Sequence, residues 1–168
     1  MKVTLAKTAG FCFGVQRAVD TVYRVLEEEH GKPAEEQRSI YTYGPIVHNE
    51  TVIQKLAAEG VQVLESEEEL ATLRDGIVII RAHGVPKHIY ELLEEQRVEA
   101  VDASCPFVQK IQRLVQQHTA AGEEVFVTGN PEHPEVVGIM GWAEGVISAI
   151  PDIETAEKLP NGEGRSVV

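Results

Sequence analysis

A parallel α/β fold is predicted by three features of this sequence. Short apolar runs alternate with longer segments of helical period along the whole chain, the signature of βα units. Runs such as Ile77-Val78-Ile79-Ile80 are apolar at every position, as strands are when helices cover both faces of the sheet. Glycine and proline stand where the helical segments start and stop, as capping chemistry requires.

The elements follow in order. Strands are expected at Val3–Ala6, Ile40–Tyr43, Val61–Leu64, Ile77–Ile80, Ala100–Val101, Val125–Thr128 and Val146–Ala149. After Gly14, residues Val15, Ala18, Val19, Val22, Val25 and Leu26 recur at three- and four-residue steps and form one apolar stripe, which Gly31 and Pro33 end. A second helix starts at Pro106, carries Val108, Ile111, Leu114 and Val115 on one face and stops at Gly122. Further helices are expected near Asn49, Pro86 and Pro134, the last two with proline in the first helical position. A boundary near Gln96–Glu99 divides the chain into two similar βα modules, residues 1–97 and 98–168.

Bulk composition narrows the class. At 168 residues, with 43% hydrophobic and 25% charged residues, the chain has the make-up of a soluble globular protein of one large or two small domains. The start, Met1-Lys2-Val3-Thr4-Leu5-Ala6-Lys7, holds no apolar h-region, and no stretch reaches membrane-spanning length. A cytoplasmic location follows as the expectation, with the two cysteines reduced, metal-bound or catalytic. A net charge of −12 without a basic patch argues against nucleic-acid and anionic-membrane partners. The runs Glu27-Glu28-Glu29 and Glu65-Ser66-Glu67-Glu68-Glu69 read as solvated helix ends or faces.

The reactive residues share one kind of place. Cys12, His48, His83, Cys105 and His133 each follow a predicted strand and precede a predicted helix. In open α/β sheets the crevice beyond the carboxyl ends of the strands is the ligand site, so the five can converge there. Helix N-termini in that crevice favour a thiolate or a diphosphate. Each residue also has a plain structural explanation. A cysteine in such a fold can be a small buried hydrophobe, and His30, His88 and His118 are read as surface or hydrogen-bonded residues. Glu135, two residues after His133, could place a proton donor beside a phosphate-binding imidazole. Cys12 and Cys105 lie 93 positions apart, unlike the close-spaced cysteines of ferredoxins or zinc ribbons. By themselves these residues indicate an α/β protein with a possible metal site.

Five ordered segments go further. Gly10-Phe11-Cys12-Phe13-Gly14-Val15, Gly44-Pro45-Ile46-Val47-His48-Asn49, Arg81-Ala82-His83-Gly84-Val85-Pro86, Val101-Asp102-Ala103-Ser104-Cys105-Pro106 and Gly129-Asn130-Pro131-Glu132-His133-Pro134-Glu135 together resemble the 4-hydroxy-3-methylbut-2-enyl diphosphate reductase, or LytB, family. The resemblance implies a three-module pseudo-symmetric fold, of which this chain supplies two modules, around a [4Fe-4S] cluster. It implies that Cys12 and Cys105 are two of three cysteine ligands. It also implies that His48, His83 and His133 surround a diphosphate substrate, two or more of them contacting its diphosphate, and that Glu135, with His133, serves proton transfer. The implied reaction, in isoprenoid precursor synthesis by the methylerythritol phosphate pathway, is reductive dehydration to isopentenyl and dimethylallyl diphosphate, with ferredoxin or flavodoxin as electron donor. Ser104 stands where the family more often has threonine. The third cysteine of the family lies beyond Val168, so this chain alone is expected to be inactive and poor in cluster. Two rivals stay open: a zinc module using Cys12, Cys105 and two histidines, and a non-catalytic phosphate-binding module.

Overall fold

The computed structural model describes residues 1–159 and 164–168. Every strand pairing among them is parallel. The first sheet has the order β2-β1-β3-β4, from β1 (Ile40–Tyr43), β2 (Gln62–Leu64), β3 (Ile77–Ile80) and β4 (Glu99–Asp102). The second has the order β6-β5-β7, from β5 (Glu124–Thr128), β6 (Ile147–Ile150) and β7 (Arg165–Val167). The helices are α1 (Phe13–His30), α2 (Glu50–Ala58), α3 (Glu67–Thr72), α4 (Lys87–Gln96), α5 (Pro106–Ala120), α6 (Pro134–Met140) and α7 (Ile153–Glu157).

The all-apolar run 77–80 becomes the central strand β3, buried at every position. Alternation of side chains across a strand sends Ile77 and Ile79 into a core with Ala18, Val22, Val25 and Leu26 of α1. The alternate pair, Val78 and Ile80, enters a core with Leu70 of α3 and Ile89 and Leu93 of α4. Burial of each such side chain contributes about 1.5–3 kcal/mol. The second sheet rests on a smaller core of Val108, Val115, Val125, Val127, Val136 and Ile139. Outside the cores, the buried Glu29 carboxylate accepts from Lys32 Nζ at 2.6 Å, Arg38 N at 2.9 Å and Arg38 Nη2 at 2.9 Å. Arg38 Nη1 continues to Glu99 Oε2 at 2.6 Å, tying the end of α1 to edge strand β4.

Several expectations need correction. Val3–Ala6 forms no strand: no described strand pairs with it, and Val3 and Leu5 are 79% and 84% exposed. A short apolar run makes a strand only where a ladder is on offer. Pro86 is the N-cap of α4 and not its first helical residue, whereas Pro134 does occupy the first position. Strand β4 (Glu99–Asp102) is hydrogen-bonded to β3, so it lies in the first sheet. Short helices α3 and α7, capped by Ser66 and Asp152, were not anticipated, although the acidic run around Ser66 does end in a helix as read.

Candidate functional site

The site is built from strand-end loops. β1, β3 and β4 are neighbours, and backbone bonds stitch their following loops together. Ala103 N–H donates to Ile80 O at 3.1 Å, Ala82 N–H to Ile46 O at 3.2 Å, and Cys105 N–H to Ala82 O at 2.9 Å. His48 and His83 project from two of these loops with ring centroids 4.6 Å apart. Gly44 holds φ +68°, and a side chain there would overlap the Arg81 guanidinium, so glycine answers both demands.

The second sheet supplies the third imidazole. His133 caps α6 after β5, 6.1 Å from His83 and 6.4 Å from His48 between ring centroids. Its Nδ1 accepts the Glu135 N–H at 3.2 Å, which leaves the proton of the neutral ring on Nε2. A cavity of about 430 Å³ opens beside it, lined in part by Thr128, Asn130, His133 and Glu135. The cluster therefore takes one histidine from each of three loops and two sheets.

Burial, the neighbouring His48, the Arg81 guanidinium and His133 together push the His83 pKa down to about 4. Removal from water disfavours the charged ring, and nearby positive charge disfavours it further. Arg81 is itself pushed downward by burial. Its guanidinium lies 5.9 Å over the Tyr43 ring, and its Nε is buried without a hydrogen-bond acceptor. His83 thus meets the positive field of Arg81.

The cysteines form a second focus. Cys12 is exposed at the N-cap of α1, and Cys105 is partly buried at the N-cap of α5. A methyl group on Gly14 would overlap Cys105 Sγ, and Arg17 Nη1 donates to Ser104 O at 2.6 Å. The start of α1 is fastened against the Cys105 loop in this way. Among the described residues no group of three or more His, Cys, Asp or Glu side chains is placed to hold a metal ion. That disfavours zinc, whose ligands must meet at one point at about 2.0–2.3 Å. Two thiols at helix starts do suit part of an iron-sulfur ligand set, since a cluster spreads its bonds over several metal atoms. His88 bonds Glu67 at 2.9 Å and His118 bonds Glu123 at 2.8 Å, the structural roles expected of them.

Residues 3–168 match the family model described as LytB protein. This chain belongs to the LytB family. Two 4-hydroxy-3-methylbut-2-enyl diphosphate reductases illustrate the relation. One, from Alkaliphilus oremlandii, is 41% identical over 95% of this chain and 54% of its own length. The other, from Geobacter sulfurreducens, is 40% identical over 100% of this chain and 56% of its own. Among solved structures, the Plasmodium falciparum E-1-hydroxy-2-methyl-but-2-enyl-4-diphosphate reductase superposes with a TM-score of 0.81 at 28% identity, over 96% of this chain and 48% of that one. An (E)-4-hydroxy-3-methyl-but-2-enyl diphosphate reductase, described as the terminal enzyme of the non-mevalonate pathway, gives a TM-score of 0.74 at 35% identity, over 90% and 52% of the two chains. The chain spans about half the length of the curated relatives it matches.

Sequence reasoning passed over two polar residues near the histidine-bearing loops. Arg81 was visible only as part of a motif, and the burial of its Nε was not. Gln112 had a signal: it sits in register with Val108, Val115 and Thr119 on the buried face of α5, where a glutamine is out of place.

Proposed function

We propose that the protein acts in the reductive dehydration of 4-hydroxy-3-methylbut-2-enyl diphosphate to isopentenyl and dimethylallyl diphosphate, in the cytoplasm. Two electrons and two protons are consumed and the hydroxyl leaves as water. The observation that carries this reading is the convergence of His48 and His83 on His133, which with Glu135 lines the cavity, in a chain of the LytB family.

The residues divide the work by chemistry. Imidazole N–H groups donate to diphosphate oxygens, and a desolvated, neutral His83 gains a proton most readily when an anion arrives to offset its charge. That lets a chain of net charge −12 hold a diphosphate without a lysine-rich pocket. The Glu135 carboxyl protonates the departing hydroxyl, with His133 held in one tautomer beside it. Cys12 and Cys105 would hold two corners of a [4Fe-4S] cluster, which when bound supplies the electrons and a Lewis-acidic iron. Its third thiolate comes from outside these 168 residues, and a ferredoxin or flavodoxin serves as donor.

The test joins this chain to the remaining length of a relative such as the Geobacter sulfurreducens reductase and reconstitutes the product anaerobically. Reduced donor and substrate should yield both five-carbon diphosphates. A folded, cluster-loaded chimera that binds the diphosphate without turning it over would sink the catalytic reading and leave a phosphate-binding module.

A further inference from the structure

We infer that Gln112 is a positioning residue that clamps the His83 loop to helix α6 and thereby sets where His133 stands relative to His83. The inference rests on the reading of the histidines as the diphosphate site. It starts from a misplaced polar group. Gln112 is 3% exposed, on the face of α5 that Val108, Val115 and Thr119 also bury. An apolar side chain would suit that face, and a buried carboxamide is retained at a cost unless it is hydrogen-bonded.

Its amide nitrogen bridges the two halves of the site. Nε2 donates to Val85 O at 3.4 Å and to Gly138 O at 3.3 Å. Val85 follows His83 by two residues, and Gly138 lies in the short helix that His133 caps. Both partners are carbonyls with no proton to give, so only the NH₂ end of the amide can face them. The carbonyl of Gly138 needs this donor: Trp142 N–H, which would complete the helix there, donates to Ile139 O instead. Gln112 thus caps the end of α6 from outside.

The fit around the clamp leaves little slack. Gly84 holds φ +69°, and a Cβ there would lie 2.6 Å from Gln112 Nε2. A Cβ on Gly138 would lie 3.2 Å from the Gly84 carbonyl oxygen. Trp142 Nε1 also donates to Val85 O at 2.9 Å, and Lys87 N–H donates to Gly141 O at 3.2 Å. The seam joins backbone to backbone through Lys87 and Gly141, and the Gln112 amide hydrogen-bonds both His-bearing segments at once.

The test uses the 168-residue chain with Gln112→Met, which keeps the shape and removes both donors. Two readouts are taken: the nuclear Overhauser contact between the His83 and His133 rings, and the affinity for inorganic pyrophosphate by calorimetry. The Met variant should stay folded by circular dichroism, lose the ring contact and bind pyrophosphate about tenfold more weakly, the size of one lost hydrogen bond of positioning. Gly138→Ala presses α6 away from the other side of the seam, should show the same pair of losses, and decides the matter if the Met variant fails to fold. A folded variant with the ring contact and affinity unchanged overturns the inference. A wild-type chain that shows the ring contact and binds no pyrophosphate instead refutes the diphosphate reading, while the ring contact still judges the clamp.

Discussion

The two sheets reach the same site by different means. In the first, His48, His83 and Cys105 stand on adjacent strand ends, and the loops that carry them are bonded backbone to backbone. Their spacing is inherited from the ladder itself. In the second, His133 and Glu135 ride on the seven-residue α6, set against the first half through glycines and Gln112. In both sheets the central strand is mostly buried and the flanking strands are mostly partly buried or exposed, so the halves differ in how their loops are held. The half with bonded loops is suited to hold the anion, and the docked half carries the acid.

The largest effect should come from the docked half. In the chimera, Glu135→Gln should leave cluster assembly intact and cut turnover by roughly 10²–10⁴-fold, the usual contribution of a general acid. Turnover at the wild-type rate would break the division of labour, since the Glu135 carboxyl would then not be the group that supplies the proton. Stability should rank the halves in the opposite order. Ile79→Ala, at a site with no exposure, should cost near the top of the range of about 2–5 kcal/mol for such truncations, and Ile150→Ala, 8% exposed on flanking strand β6, near the bottom. Urea unfolding of the two variants measures the difference, and equal costs would mean that the sheets are packed alike.

How much of this was legible in the sequence follows the same divide. β3 was readable because four apolar residues in a row leave no polar face, and α1 and α5 because their stripes repeat at helical steps. The three histidines and Cys105 were readable as strand-end residues for the same reason, whereas Cys12, expected to follow a strand at Val3–Ala6 that does not form, only precedes helix α1. Val3–Ala6 was misread because a short apolar run says nothing about whether a neighbouring strand exists. The start of α3 was encoded in Ser66, whose Oγ accepts Glu69 N–H at 3.2 Å, but six residues make too short a stripe to register. The seam was illegible for a deeper reason. Gly84, Gln112 and Gly138 have meaning only in relation to one another, and no local period connects them.

A third effect belongs to the first half alone. Hydrogen bonds from Arg38 and Lys32 hold the Glu29 carboxyl well below the usual range, at about 2. The unfolded chain takes up this proton near the ordinary value of 4.5, whereas the folded chain refuses it until pH about 2. The stabilisation is therefore complete above about 4.5 and is lost as pH falls through 2, with an amplitude on the order of 3 kcal/mol. Unfolding followed between pH 5 and 2 should show this limb in the wild type and not in Glu29→Gln, which is also less stable at neutral pH because Arg38 and Lys32 lose their acceptor. An unchanged limb would mean that the ties from α1 to the edge of the first sheet are made and broken without consequence.

The smallest effect sits at the junction of the two halves and has a separate pH window. His83 is held near 4 against an ordinary 6.5, first by burial and then by His48, Arg81 and His133. An unfolded chain binds this proton as pH falls below 6.5, while the folded chain leaves the ring neutral until about 4. Stability from this group is thus whole above 6.5, declines as pH drops through that interval and levels off below 4, because the unfolded state binds more protons throughout the window. His83→Gln should flatten the decline between pH 6.5 and 4 and leave the Glu29 limb below it untouched. The same argument reverses on ligand binding. A diphosphate beside the ring favours its charged form, so binding at pH 6 should take up protons, seen in calorimetry as an enthalpy that varies with the ionisation heat of the buffer. Since part of the depression comes from His133 across the seam, loosening α6 with Gly138→Ala should bring the His83 midpoint upward. A midpoint that stays in place would show that burial, His48 and Arg81 within the first half account for the whole shift, and the contrast between a half set by its ladder and a docked half would lose its electrostatic side.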